Sequence, residues 1–123
     1  MTENAFPERG AARAEQFVDL GTLSMRSQRD GDTHTIGVGG EVDIASAGDL
    51  EQELLRVEAT DAQAIVLDLS ALSFIDSTGI RMLVMADARS RADGHRLRLR
   101  RPSATVLRVL RIAGVDERLP FAD

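Results

Sequence analysis

Residues 64–86, AIVLDLSALSFIDSTGIRMLVMA, decide the fold. Ala64-Ile65-Val66-Leu67 is an unbroken apolar run with β-branched residues, the pattern of a strand covered on both faces. Leu72, Phe74 and Ile75 carry a short apolar connection up to a sharp turn at Asp76-Ser77-Thr78-Gly79. Beyond it Ile80, Leu83, Val84 and Ala88 recur at helical spacing. Asp76 or Ser77 is therefore the N-cap of a helix that leaves a sheet edge. A hydroxyl at Ser77 lies at the positive end of that helix, where a phosphate would sit in favourable electrostatics.

Outward from this stretch the chain alternates strands and helices. Leu23–Ser27 alternates apolar and polar, residues 28–32 carry a D-G turn signal, and Thr33–Val38 is β-branched, which together predict an antiparallel hairpin. Gly39-Gly40 ends it, and Glu41–Ile44 leads into a helix from about Ser46 to Glu58 with Leu50, Leu54, Leu55 and Val57 apolar. The helix after Gly79 fades near Asp93-Gly94, where Gly94 suits a left-handed cap. Arg96–Arg100 alternates strictly as a strand with Leu97 and Leu99 inward, Pro102-Ser103 opens a last helix Ala104–Ile112, and Gly114 stops it. Leu119–Phe121 closes as an extended piece. The order β-β-α-β-α-β-α-β gives an α/β domain: a mixed sheet, hairpin first and βα units after, packed with helices. Residues 1–20, with Pro7 and Gly10, read as a flexible tail holding at most one helical turn at Ala11–Phe17, and 21–123 as the domain.

Composition narrows the chemistry. A chain of 123 residues makes one domain, and 43% hydrophobic against 28% charged is ordinary globular composition. Aromatics are 3%, without Trp or Tyr, so the core is aliphatic and a base-stacking platform is excluded. There is no Cys, hence no disulfide, thiolate metal site or Cys nucleophile. All 15 basic residues are Arg, which removes Schiff-base chemistry and the P-loop lysine. The start of the chain lacks a signal-peptide pattern and no stretch approaches the roughly 18 apolar residues of a membrane span, so a cytoplasmic location is expected. Residues 1–80 hold five Arg against fifteen acids and residues 81–123 ten against five, within a net charge of −5. That balance argues against nucleic acid and suits a protein partner with its own charge pattern.

Candidate sites are few. Ser77 lacks the first glycine of a G-x-S-x-G nucleophile elbow, and neither His34 nor His95 is placed to serve it as a base. Gly37–Gly40 matches neither a dinucleotide fingerprint nor a P-loop, and reads as glycines permitting a bend. Two isolated histidines and scattered carboxylates show no metal spacing. Glu41 and Asp43 read as capping or solvated charges, and Arg96, Arg98, Arg100 and Arg101 as a solvated outer face. With Ile80, Leu83, Val84 and Ala88 turned to the core, Met82, Met85 and Ala86 fall on the other side of their helix, either as a partner surface or against other elements.

Several of these stretches resemble one family. Gly40-Glu41-Val42-Asp43 is similar to the G-E-[LV]-D signature of STAS domains. Ile65–Leu69 followed by Phe74–Ile80 resembles their central strand and phosphorylation turn, and Pro102–Leu107 with Ala113-Gly114-Val115 their closing helix and its exit. Within the family, a small chain carrying D-S-[ST]-G resembles an anti-sigma factor antagonist (anti-anti-sigma factor). The resemblance implies a partner-switching protein without catalytic activity or cofactor. Its unphosphorylated form would bind an anti-sigma factor of the GHKL serine-kinase type and free a sigma factor. Phosphorylation would fall on Ser77, with Thr78 as the rival, and a PP2C-type phosphatase would reset it. The partner surface is then expected at Glu41, Asp43, Asp76, Ser77, Thr78, Gly79, Met82, Met85 and Ala86. The resemblance also leaves open a scaffold or accessory subunit, stressosome-like or lipid-transporter-associated, and a small-ligand-binding STAS domain. Two departures stand out: many relatives continue past the position of Phe121, and the N-terminal stretch is longer than the family minimum.

Overall fold

The structure, a computed structural model, describes the backbone of Glu15–Leu20 and residues 22–122 in full. The elements are β1 (Glu15–Leu20), β2 (Leu23–Asp30), β3 (Thr33–Val42), α1 (Ala47–Glu58), β4 (Ala64–Ile75), α2 (Ser77–Arg91), β5 (Leu97–Arg100), α3 (Ala104–Ile112) and β6 (Phe121–Ala122). They form one six-stranded sheet in the order β1-β2-β3-β4-β5-β6. The first three strands are antiparallel and the rest add on parallel. The mixed sheet with hairpin first and βα units after is thus as expected. It gains one strand, because Glu15–Leu20, expected in the tail or a helical turn, pairs with β2 along its length. The rest of that tail, residues 1–14, lies outside the described residues.

Sequential strand order fixes where the helices go. Each parallel crossover advances one strand in the same direction, and right-handed crossovers then place every helix on the same face. Burial agrees. Leu23, Met25, Ile36, Val38, Ile65, Leu67, Leu69, Leu97 and Leu99 are buried with the inner faces of the helices. The alternate positions Arg26, Thr35, Val66, Asp68, Arg98 and Arg100 keep exposure. The expectation that β4 is covered on both faces is therefore corrected to one. The twelve largest fully buried side chains are all Leu, Ile or Val, as the composition requires. In α1, Leu50, Leu54 and Val57 turn inward, while Leu55, a hundred degrees from Leu54, is 44% exposed.

The stretch between the core of β4 and its turn is strand, not connection. Its register against β3 slips twice, Gly37 and Gly39 facing Asp68 and Ala71, then Gly40 and Glu41 facing Leu72 and Phe74. Each slip inserts one residue in β4, so its inward positions change from every second to every third: Leu69, Leu72, Ile75. Phe74 is thrown outward as a result. Opposite these bulges Gly40 has φ +82°, and a Cβ there would lie 2.1 Å from the Thr22 carbonyl oxygen, which accepts from Glu41 N at 2.8 Å. Only glycine fits.

Candidate functional site

The carboxyl ends of β3 and β4 meet at Asp76. Its φ of −105° and ψ of −174° make it the N-cap of α2, and its Oδ1 accepts from Thr78 N at 2.9 Å and Gly79 N at 3.1 Å. Its Oδ2 accepts from Ile44 N at 3.1 Å, and its own amide donates to the Val42 carbonyl at 3.1 Å. One carboxylate thus ties the start of α2 to the loop between β3 and α1. Asp76, not Ser77, is the cap. Ser77 is the first residue of the helix and is exposed; Thr78, the rival acceptor, is half-buried beside it.

Gly79 is buried because α2 approaches the strands closely. A Cβ would lie 2.7 Å from Ile75 Cγ1 and 2.8 Å from Val42 Cγ1. This contact sets the rotation of α2: Gly79, Met82, Leu83 and Ala86 face the sheet. The outer face expected at Met82 and Ala86 is corrected accordingly, since they are 5% and 0% exposed. Met85 does lie outside, at 46%. Ile80 and Val84 are only partly buried, and Ala88, expected inward, is exposed. The exposed stripe of α2 therefore runs Ser77, Arg81, Met85, Ala88.

Asp43 is committed to its own loop. Its Oδ1 accepts from Ala45 N at 3.0 Å, Ser46 N at 3.1 Å and Ser46 Oγ at 3.1 Å, while that hydroxyl also meets the Glu41 carbonyl at 3.0 Å. It braces the loop ahead of α1, whose N-cap is Ser46, and Glu41 stands half-buried at the end of β3 opposite Phe74. Held up by this loop is Ile44, 80% exposed, with Phe74, 46% exposed, on the neighbouring strand end. Neither was anticipated from the sequence, although two adjacent β-bulges and a tight loop of Asp and Ser are the features that expose them.

Neither histidine reaches Ser77. His34 pairs in register with Ile65 near the start of β4, ten residues from Ile75. At about 3.3 Å per residue that is roughly 30 Å away along the strand. Its Nε2 lies 2.5 Å from Ser27 Oγ, and both side chains are buried, with Glu53 and Arg56 of α1 close to His34. Burial, and then the charge of Arg56, hold the His34 imidazole below its ordinary pKa. His95 sits in the turn beyond α2. Among the described residues no group of three or more His, Asp or Glu could hold a metal ion, and no helix is long and apolar enough to cross a membrane.

This fold has known counterparts. The family model described as "Mlab, STAS domain" matches residues 25–120, so the chain belongs to the STAS-domain family. It is 40% identical over 48 residues to the anti-sigma-F factor antagonist RsfB of Mycobacterium tuberculosis, a match spanning 39% of each protein. Among solved structures, an anti-sigma factor antagonist from Mycobacterium paratuberculosis superposes with a TM-score of 0.71 at 24% identity, over 80% of this chain and 84% of that one. The antagonist SpoIIAA in its unphosphorylated form gives 0.62 at 22% identity, over 89% of each chain. Its Bacillus phosphorylated form gives 0.56 at 22%, over 89% of this chain and 92% of that one.

Proposed function

We propose that this chain is an anti-sigma factor antagonist that binds an anti-sigma factor of the GHKL serine-kinase type when unphosphorylated and loses it when Ser77 is phosphorylated. The observation that carries this reading is the composition of one surface. An exposed hydroxyl at the first position of α2 stands beside exposed Ile44 and Phe74, with Met85 further along the same helix. Exposed apolar side chains around a modifiable group are what a switchable contact requires. Similarity to RsfB and to both forms of SpoIIAA supports the class of partner.

Charge supplies the switch. A phosphate adds about −1.5 to −2 charges. It arrives beside the Asp76 carboxylate, in the half of the chain where acids outnumber arginines fifteen to five. Buried against a partner without a cation to receive it, such a charge costs several kcal/mol, and about 3 kcal/mol weakens binding by roughly two orders of magnitude. The fold itself tolerates the group, because Ser77 is exposed and lies outside the core. A PP2C-type phosphatase would restore the binding form. No catalytic step and no cofactor enters this scheme.

The test is capture from host lysate on immobilised wild type, Ser77→Ala and Ser77→Glu, each first shown folded by a thermal melt. A GHKL-type protein retained by the first two and lost by the third is the expected result. Equal retention of the same partners by all three would replace the switch with a scaffold role in a larger complex.

A further inference from the structure

Phosphorylation of Ser77, the reading on which this section rests, raises the question of what receives the phosphate within the chain itself. The helix start is already engaged. The amides of Thr78 and Gly79 donate to Asp76 Oδ1, and that carboxylate is held a second time by Ile44 N. A new anion on Ser77 therefore finds the nearest helix amides taken and a like charge fixed at its back. The next residue on the exposed stripe of α2 is Arg81, one turn on, and because helical side chains lean toward the N-terminus its guanidinium reaches back toward Ser77.

Arg81 is unlike the other arginines of that helix. Arg89 is clamped by Glu58 at 2.9 Å and Glu51 at 3.4 Å, and Arg91 by Asp87 at 3.0 Å. Arg81 is exposed, and the positions three and four residues to either side of it are Thr78, Ser77, Val84 and Met85, none of them acidic. Among the described residues it has no ion-pair partner. Ser77 and Arg81 are at i and i+4 with the anion on the N-terminal side, the favourable orientation for a helical ion pair. A guanidinium can meet phosphate oxygens with two parallel N–H donors.

We infer that Arg81 is the intramolecular host of the Ser77 phosphate, a positioning residue that folds the new charge back onto α2. Modification then changes the surface twice. It adds a dianion, and it withdraws the one unpaired cation of the stripe between Ser77 and Ala88 from any partner that reads it. The phosphorylated chain is a closed form with its charge paired, not the same surface with a charge added.

The experiment uses the full chain with phosphoserine inserted at position 77 during translation, as wild type, Arg81→Gln and Arg81→Lys, and follows the phosphate by 31P NMR through its second ionisation. In wild type the ionisation falls at lower pH than in Arg81→Gln by on the order of 0.3 to 0.5 pH units, and Arg81→Lys lies between. The difference closes in about 1 M salt, as expected of an exposed pair. Coincident curves for wild type and Arg81→Gln at low salt would overturn the inference, as would a difference that salt leaves intact. Neither kinase nor partner is present, so failure here is separate from failure of partner capture: the switch can stand with its phosphate unhosted, and the ion pair can form in a chain that binds no anti-sigma factor.

Discussion

The two ends of the sheet are built to opposite specifications. At the amino end of β4 and β5 a single arginine closes the structure. Arg96 Nη1 donates to the Ala62 and Thr60 carbonyls at 2.6 and 3.3 Å, and its Nη2 to the Glu58 carbonyl at 2.6 Å and Asp93 Oδ2 at 2.8 Å. Only 18% of that side chain is exposed. Nearby, Arg29 meets Asp61 at 3.1 Å and Ser90 Oγ accepts from Leu97 N at 2.9 Å. At the carboxyl end the backbone is just as well satisfied, by Asp76 and Asp43, but side chains are left unspent: Ile44, Phe74, Ser77 and Arg81 all face outward. Polar groups at the first end hold the chain together, whereas those at the second hold apolar and modifiable groups out.

The comparison is broken most severely by changes that remove the supports. Gly40→Ala places a Cβ against the Thr22 carbonyl in a left-handed backbone and should cost about 3 kcal/mol, read by chemical denaturation. Arg96→Met strips three backbone carbonyls and Asp93 of their donor and should cost about 2 kcal/mol, with partner binding unchanged after correction for the folded fraction. Asp76→Ala should cost about 1 kcal/mol through the lost cap and, unlike Arg96→Met, should also weaken partner binding because Ile44 loses its anchor.

The smallest effect is a pH dependence centred away from both ends. His34 ionises in the folded chain below its ordinary 6.5, through burial and the charges of Arg56 and Arg29, with Glu53 opposing. The unfolded chain then takes up the proton more readily, so stability is full above pH 6.5 and declines as pH falls below it. Thermal melts from pH 7.5 to 5.5 should show this decline, and His34→Gln should flatten it. Burial raises the carboxyls of Glu53 and Asp68, but hydrogen bonds from Arg56 and Ser27 to the first, and from Ser70 and Arg100 to the second, outweigh it. Both ionise below their ordinary 4.5 and 3.8, and their contribution is present above those values and lost on further acidification, as a separate second limb.

Much of this was legible in the sequence because local signals and tertiary packing agree. The last helix begins and ends at Ala104 and Ile112 as its Pro-Ser opening and Gly114 stop dictate, with Ser103 Oγ accepting from Val106 N at 3.3 Å. The D-S-T-G turn sits where strand and helix patterns change over. What escaped was set by contacts between segments. β1 exists through its pairing with β2, and nothing in Glu15–Leu20 alone demands a strand. In the sequence Arg96 reads as one member of a solvated arginine row, but in the fold three carbonyls converge on it. The rotation of α2 is not legible in the sequence, because residues 79–86 are apolar nearly all round: Gly79, Met82, Leu83 and Ala86 make as good a stripe as Ile80, Leu83, Val84 and Ala88. Gly79 breaks the tie, since a helix that must approach Val42 and Ile75 within a methyl group turns its smallest residue inward. In the sequence Phe74 reads as part of an apolar run, because a bulge leaves no mark in a period count.

The most direct measurement is a calorimetric titration of the captured anti-sigma factor into variants from both ends. Ile44→Ser and Ser77→Glu are each surface changes expected to leave stability within about 0.5 kcal/mol. Asp61→Ser, at the Arg96 end, is an equally mild change there. Binding weakened at least tenfold by the first two and untouched by the third is the expected pattern. Affinity lost through Asp61→Ser, with Ile44→Ser and Ser77→Glu binding as wild type does, would place the partner at the wrong end of the sheet and contradict the account.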